Sequence, residues 1–144
     1  MAITFSNNEV KFSLKEKTRL KKWIGEVIKR NKKRVGEIAY QFCDDEYILQ
    51  VNREYLNHDT YTDIITFDYV EGDLVSGDIL ISIDRVGENA RTFGCTFEQE
   101  LHRVIIHGVL HLLGGKDKTP AEAEAMRKKE NDALALLEKL KVES

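Results

Sequence analysis

The chain holds 144 residues, 42% of them apolar and 33% charged, with one proline and nine glycines. That balance suits one globular domain over residues 1–144 and excludes a disordered, collagenous or low-complexity chain. No apolar run approaches the roughly 18 residues that a bilayer span needs. Met1–Phe5 lacks the basic and apolar segments of a secretory signal. The expectation is a cytoplasmic protein with no membrane partner, and Cys43 and Cys95, which form no CxxC, read as reduced thiols.

Net charge is only −3 but unevenly spread. Residues 15–34 hold ten Lys/Arg against Glu16 and Glu26, a local +8, whereas residues 35–80 hold eleven Asp/Glu against Arg53 alone, a local −10. A basic footprint over the whole domain, the usual mark of a nucleic-acid binder, is missing, and DNA is not an expected partner.

In chain order, Ile3–Asn7 alternates as a short strand. Ser13-Leu14-Lys15-Glu16 has the form of a capping box, followed by Leu20, Trp23, Ile24, Val27 and Ile28 at helical spacing to about Arg30. Ile38–Phe42 reads as a strand, and Asp44-Asp45-Glu46 opens a helix carrying Ile48, Val51, Tyr55 and Leu56. Ile64–Val70 and Gly77–Ile83 are β-rich runs across a turn. Asp84 is positioned to cap a helix ending near Gly94, and Thr96-Phe97-Glu98-Gln99 forms a second capping box before an apolar helix. Thr119-Pro120-Ala121-Glu122 opens a last helix, with proline at its favoured first position. The order β-α-β-α-β-β-α-α-α predicts an α+β fold, a mixed four-stranded sheet packed with about five helices.

The chemically informative stretch is His107-Gly108-Val109-Leu110-His111-Leu112-Leu113-Gly114-Gly115-Lys116-Asp117. His107 and His111 are four apart on the apolar helix, so both imidazoles leave one face about a turn apart. The arrangement is zincin-like, two nitrogen ligands offered to one divalent ion, Zn2+ or another transition metal. Gly114-Gly115 lets the chain turn back and brings Asp117 within reach as a third ligand. Two histidines and a carboxylate leave a position for water, whose pKa on such an ion falls to about 7, so that metal-bound water would serve as base or nucleophile. Gly108 stands where a zinc peptidase of the HExxH type has its glutamate base, which demotes peptide hydrolysis. His102 is off the pair's face, and Asp63 and Asp78 read as turn or cap residues.

These residues resemble the YbeY family of metal-dependent endoribonucleases, whose signature is H-G-x-L-H-L-x-G-x-D-H; its first eight positions match His107 through Gly114. Upstream, the family's L-N-x-x-Y-R-x-x-D-x-P-T-D-V-L-S-F is similar to residues 51–67, and its G-D-I-x-I-S to Gly77–Ser82. The resemblance implies a zinc-dependent, single-strand-specific endoribonuclease in small-subunit rRNA maturation, with RNA and ribosomal precursors as partners. It departs at two places. In gapless register Asp117 takes the slot of the third metal histidine; a one-residue slip would put Lys118 there, and an ammonium cannot coordinate, so Asp117 is preferred. Leu56 takes the slot of an arginine that serves phosphate charge, for which Arg53 or His58 are the replacement candidates. The basic helix face, with Lys21, Lys22, Lys29 and Arg30, would track RNA phosphates. Competing readings are a ribosome-assembly binding module with a structural or vestigial metal, and a metal-dependent hydrolase of another substrate.

Overall fold

A computed structural model describes residues 2–56 and 62–143, with side chains described to residue 140. Nine elements follow one another: β1 (Ala2–Asn7), α1 (Lys17–Arg30), β2 (Arg34–Cys43), α2 (Asp45–Tyr55), β3 (Ile64–Asp68), β4 (Leu74–Ser82), α3 (Ile83–Phe93), α4 (Phe97–Leu112) and α5 (Pro120–Glu143). They are the expected order and class. The sheet runs β1-β2-β4-β3; β1, β2 and β4 are parallel, and β3 closes the edge antiparallel to β4. Among the described residues no helix is long and apolar enough to cross a membrane.

Strand alternation decides the layers. Ile38, Tyr40 and Phe42 of β2 and Val75, Ile79 and Ile81 of β4 face one side, where α1, α4 and α5 supply Leu20, Trp23, Ile105, Val109 and Leu137 to the main core. Each such side chain, fully buried, contributes about 1.5–3 kcal/mol. The polar tips entering this core are bonded: Trp23 Nε1 donates to the Ala133 carbonyl (2.7 Å) and the Tyr40 hydroxyl to the Ile105 carbonyl (2.9 Å). On the opposite face α2 covers a smaller cluster of Cys43, Ile48, Val51, Ile65 and Leu80.

Helix α4 lies close on β3 and β4 because glycines allow it. A Cβ on Gly108 would stand 3.0 Å from Ile79 Cδ1 and 3.1 Å from Ile64 Cδ1, and one on Gly77 only 2.6 Å from the Phe67 carbonyl oxygen. Gly108 is thus a packing position against the sheet, with no room for the glutamate of a zinc peptidase.

Two local expectations fail for tertiary reasons. The Ser13 capping box does not form; α1 starts at Lys17, and Glu16 precedes it with φ 59° and no side-chain cap. Phe12 packs edge-on against Phe42 and Phe97, and Leu14 is buried, so residues 12–14 serve the core instead of a helix turn. Asp84 is not a cap either. Strand β4 runs to Ser82, whose hydroxyl accepts from Arg85 N (3.2 Å), while the Asp84 carboxylate accepts from Asp45 N (3.0 Å) at the start of α2. The boxes at Thr96–Gln99 and Thr119–Glu122 form as expected, each with both reciprocal bonds.

Candidate metal centre

Helix α4 carries His107 and His111 on its last two turns, with ring centroids 4.6 Å apart. Leu113 ends the helix, and Gly114, at φ 96°, turns the chain back in a conformation that glycine adopts freely. The bonds Gly114 N to His111 O and Gly115 N to Leu110 O, both 2.9 Å, fix the reversal. It brings Asp117 Oδ2 to 3.3 Å from His107 Nε2 and 3.3 Å from His111 Nε2. For bonds of about 2.0–2.1 Å to a tetrahedral ion, neighbouring ligand atoms sit about 3.3–3.4 Å apart. Both Asp117 separations match that spacing, and all three donors lie within 4.8 Å of one another.

The other ring nitrogens settle which lone pairs are available. His111 Nδ1 lies 2.9 Å from the Gly115 carbonyl, which only accepts, so Nδ1 carries the proton and Nε2 is free to coordinate. His107 Nδ1 lies 2.6 Å from Glu130 Oε2 on α5 and donates to it. Glu130 is 5% exposed, and its other oxygen accepts from Arg103 Nη1 at 2.9 Å. Burial alone would raise the Glu130 pKa, but the bonds from His107 and Arg103 outweigh it and hold the carboxyl below its usual range. His107 mirrors this: burial opposes its charge, yet Glu130, then Asp117 and Asp63, leave its pKa raised. A histidine anchored to a carboxylate through one nitrogen, with the other free, is the arrangement by which metal-binding imidazoles are oriented.

The donors open into a cleft of about 640 Å³ between α2, β3 and the α4–α5 loop, lined among others by Asn52, Leu56, Asp63, Thr66 and Lys118. Asp63 sits at the bend before β3, as its turn reading expects, and it also lines the cleft with the histidines. Burial raises its pKa, the nearby His107 lowers it in part, and Asn89 Nδ2 donates to Oδ2 at 3.3 Å. Asp78 is no turn or cap: it lies within β4 opposite Phe67, with the Tyr69 phenol nearby. His102 is half-buried, edge-on to Trp23.

Lys21, Lys22, Lys29 and Arg30 are exposed on α1, which contributes nothing to the cleft, and Arg30 pairs with Glu26 (3.2 Å). Arg53 is exposed on α2 and does not line the cleft; His58 lies outside the described residues. Leu56 does line it, so the α2 wall is apolar there, and Lys118 is the one Lys or Arg among the described lining residues. Glu130 went unread in the sequence. Its signal was position: with Met126, Ala133, Leu137 and Leu140 it shares the buried stripe of α5, where an acid is out of place.

Known proteins match the chain over nearly its whole length. The family model described as Endoribonuclease YbeY matches residues 3–138. The Endoribonuclease YbeY of Bacteroides thetaiotaomicron is 54% identical over 136 residues, 94% of this chain and 99% of that one. That of Phocaeicola vulgatus is 56% identical over 135 residues, covering 94% and 98%. The solution structure of a protein from Thermotoga maritima superposes with a TM-score of 0.61 at 28% identity, over 99% of this chain and 96% of the other.

Proposed function

The chain belongs to the YbeY family of endoribonucleases, and from that premise we propose a zinc-dependent endoribonuclease that cuts single-stranded RNA in the cytoplasm during small-subunit rRNA maturation. The observation that carries the metal requirement is the convergence of His107, His111 and Asp117 on one open cleft, with their donor atoms within 4.8 Å of one another and Asp117 Oδ2 3.3 Å from Nε2 of each histidine. They would hold one Zn2+, or another divalent transition ion, per chain. Bound there, such an ion supplies Lewis acidity and makes water a nucleophile at neutral pH.

The chain's own groups do the rest. Glu130 and the Gly115 carbonyl fix the two imidazoles so that their Nε2 lone pairs point inward. Asp63, held by Asn89 beside His107, is the carboxylate positioned to take a proton from the attacking oxygen or return one to the leaving oxygen. The Lys118 ammonium on the loop wall answers the phosphate charge that Leu56 on the α2 wall cannot. Lys21, Lys22, Lys29 and Arg30 give the flanking RNA backbone a salt-dependent contact.

The test is His111→Ala, assayed with circular dichroism as the check on folding. Loss of stoichiometric zinc together with loss of single-strand cleavage supports the proposal, and unchanged cleavage removes it. Leu56 favours one second reading, a ribosome-assembly binding module whose metal is structural; that reading expects binding to small-subunit precursors to survive EDTA, with no metal-dependent turnover. Lys118→Ala separates the two, because it lowers cleavage about 10–100-fold in an enzyme, and Leu56→Arg added to it restores part of the loss.

A further inference from the structure

Behind the metal donors, α3, α4 and α5 enclose a second cavity of about 280 Å³ that shares Asp63, His107 and Asp117 with the cleft. One of its walls is Glu100, about two turns before His107 on α4. Glu100 is 5% exposed, and among the described residues its carboxylate receives no hydrogen bond. Asp63 and Glu130 repel it, and Arg103 and Arg127 attract it from a distance. Arg103 is already engaged by Glu130 and Asn131. The guanidinium of Arg127, also on the wall, has no hydrogen-bonded partner among the described residues. With no donor of its own and only 5% of its surface exposed, the Glu100 carboxylate opens onto the cavity, where a ligand can bring the donors. The third element is Phe93, a ring 61% exposed, lining the same cavity from the end of α3.

We propose that this cavity is a guanine pocket, which takes the base of a nucleotide next to the scissile phosphate. The inference rests on the endoribonuclease reading for its substrate but not for its chemistry. Guanine alone among the RNA bases presents two adjacent donors, N1–H and the N2 amine, which the two oxygens of one carboxylate accept together. Arg127 is suited to its O6 or N7, and Phe93 offers a face for stacking. His107 and Asp117 form the common wall, so a phosphate at the metal donors leaves its neighbouring base at the cavity. The acidic lining repels the RNA backbone and admits the uncharged base. A single-stranded substrate is required, because a paired guanine has the same edge occupied.

The experiment is a calorimetric titration of zinc-loaded protein with guanosine, inosine and adenosine 5′-monophosphates, using wild type, Glu100→Gln and Phe93→Ala. Wild type binds the guanosine nucleotide at least about ten-fold more tightly than the adenosine one, with inosine, which lacks the N2 amine, between them. Glu100→Gln brings the guanosine-to-adenosine ratio within about two-fold of unity. Phe93→Ala, at a surface position that leaves the fold intact, weakens all three alike. Equal wild-type affinities, no saturable binding, or a preference that survives Glu100→Gln overturns the proposal. Cleavage of single-stranded RNA is measured in parallel. Cutting without guanosine selectivity refutes the pocket alone, whereas selective binding without any cutting refutes the nuclease reading and leaves the pocket standing.

Discussion

Replacing Glu130 by glutamine separates the electrostatics of the centre from its donor atoms. The change keeps size and one acceptor oxygen but removes the charge shared by His107 Nδ1 (2.6 Å) and Arg103 Nη1 (2.9 Å). The glutamine oxygen serves one of these donors, and its NH2 then faces the other, so one charge-assisted bond is lost at a site 5% exposed. Such bonds are worth about 1.5–3 kcal/mol, and breaking a buried pair from one side costs about 3–5. A loss of about 3 kcal/mol lowers the Tm of a chain this size by roughly 6–12 °C. Zinc affinity falls about 10–100-fold because the imidazole loses its anchor. Chelator competition measures the affinity, and thermal melts without metal measure the fold. The stability gap between wild type and variant also has a pH window. Glu130, its pKa held down, contributes above its unfolded value and loses that contribution as pH falls through the folded one; His107, its pKa raised, contributes below its unfolded value and loses that as pH rises through the folded one. The gap in metal-free protein is therefore widest at mildly acidic pH and narrows toward both extremes. A variant that binds zinc within two-fold of wild type refutes the orienting role.

Asp117→Ala should lower zinc affinity at least about 100-fold, while Asp117→His, the residue of the family signature in gapless register, keeps one zinc per chain; metal retained in the alanine variant shows that another group is the third ligand. Zinc affinity should also fall as pH drops, and begin to fall above the ordinary histidine pKa of about 6.5, because the raised His107 pKa lets protons compete earlier. Equilibrium dialysis from pH 8 to 5.5 measures it, and a flat profile excludes imidazole ligation. Gly77→Ala meets the Phe67 carbonyl at 2.6 Å, a backbone atom, and should destabilise by more than the about 1–3 kcal/mol typical of overpacking. Gly108→Ala meets only isoleucine methyls at 3.0–3.2 Å and gains helix propensity, so urea melts should show a smaller loss.

What the sequence discloses and what it hides divide along range. The histidine pair is four residues apart on one helix, and the Thr96 and Thr119 capping boxes close within three, so local geometry reaches all of them. Asp117 is legible for the same reason, since Gly114 permits a reversal only a few residues long. The Ser13 box has the same local form and still fails, because Phe12 and Leu14 gain more from burial against Phe42, Phe97 and the rest of the core than four residues gain from a cap. Charge runs mislead in a related way. The basic stripe of α1 is real and solvated, but it lies off the cleft, and the lysine that lines the cleft, Lys118, stands in no basic run at all.

The groups that complete the site come from farther away. Glu130 is 23 residues from His107, and Asp63 reaches it from a different layer of the fold. No spacing rule predicts such pairs, because the antiparallel return of α5 along α4 sets their register. The trace they leave is a violation of pattern: Glu100 and Glu130 are acids at positions that helical periodicity assigns to the core. An acid kept in a core stripe has to be satisfied by something. Glu130 is satisfied within the chain, by His107 and Arg103, and so orients the centre. Glu100 finds no such donor among the described residues and opens onto the second cavity instead, so the same violation that at Glu130 marks architecture is at Glu100 the basis of the proposed pocket.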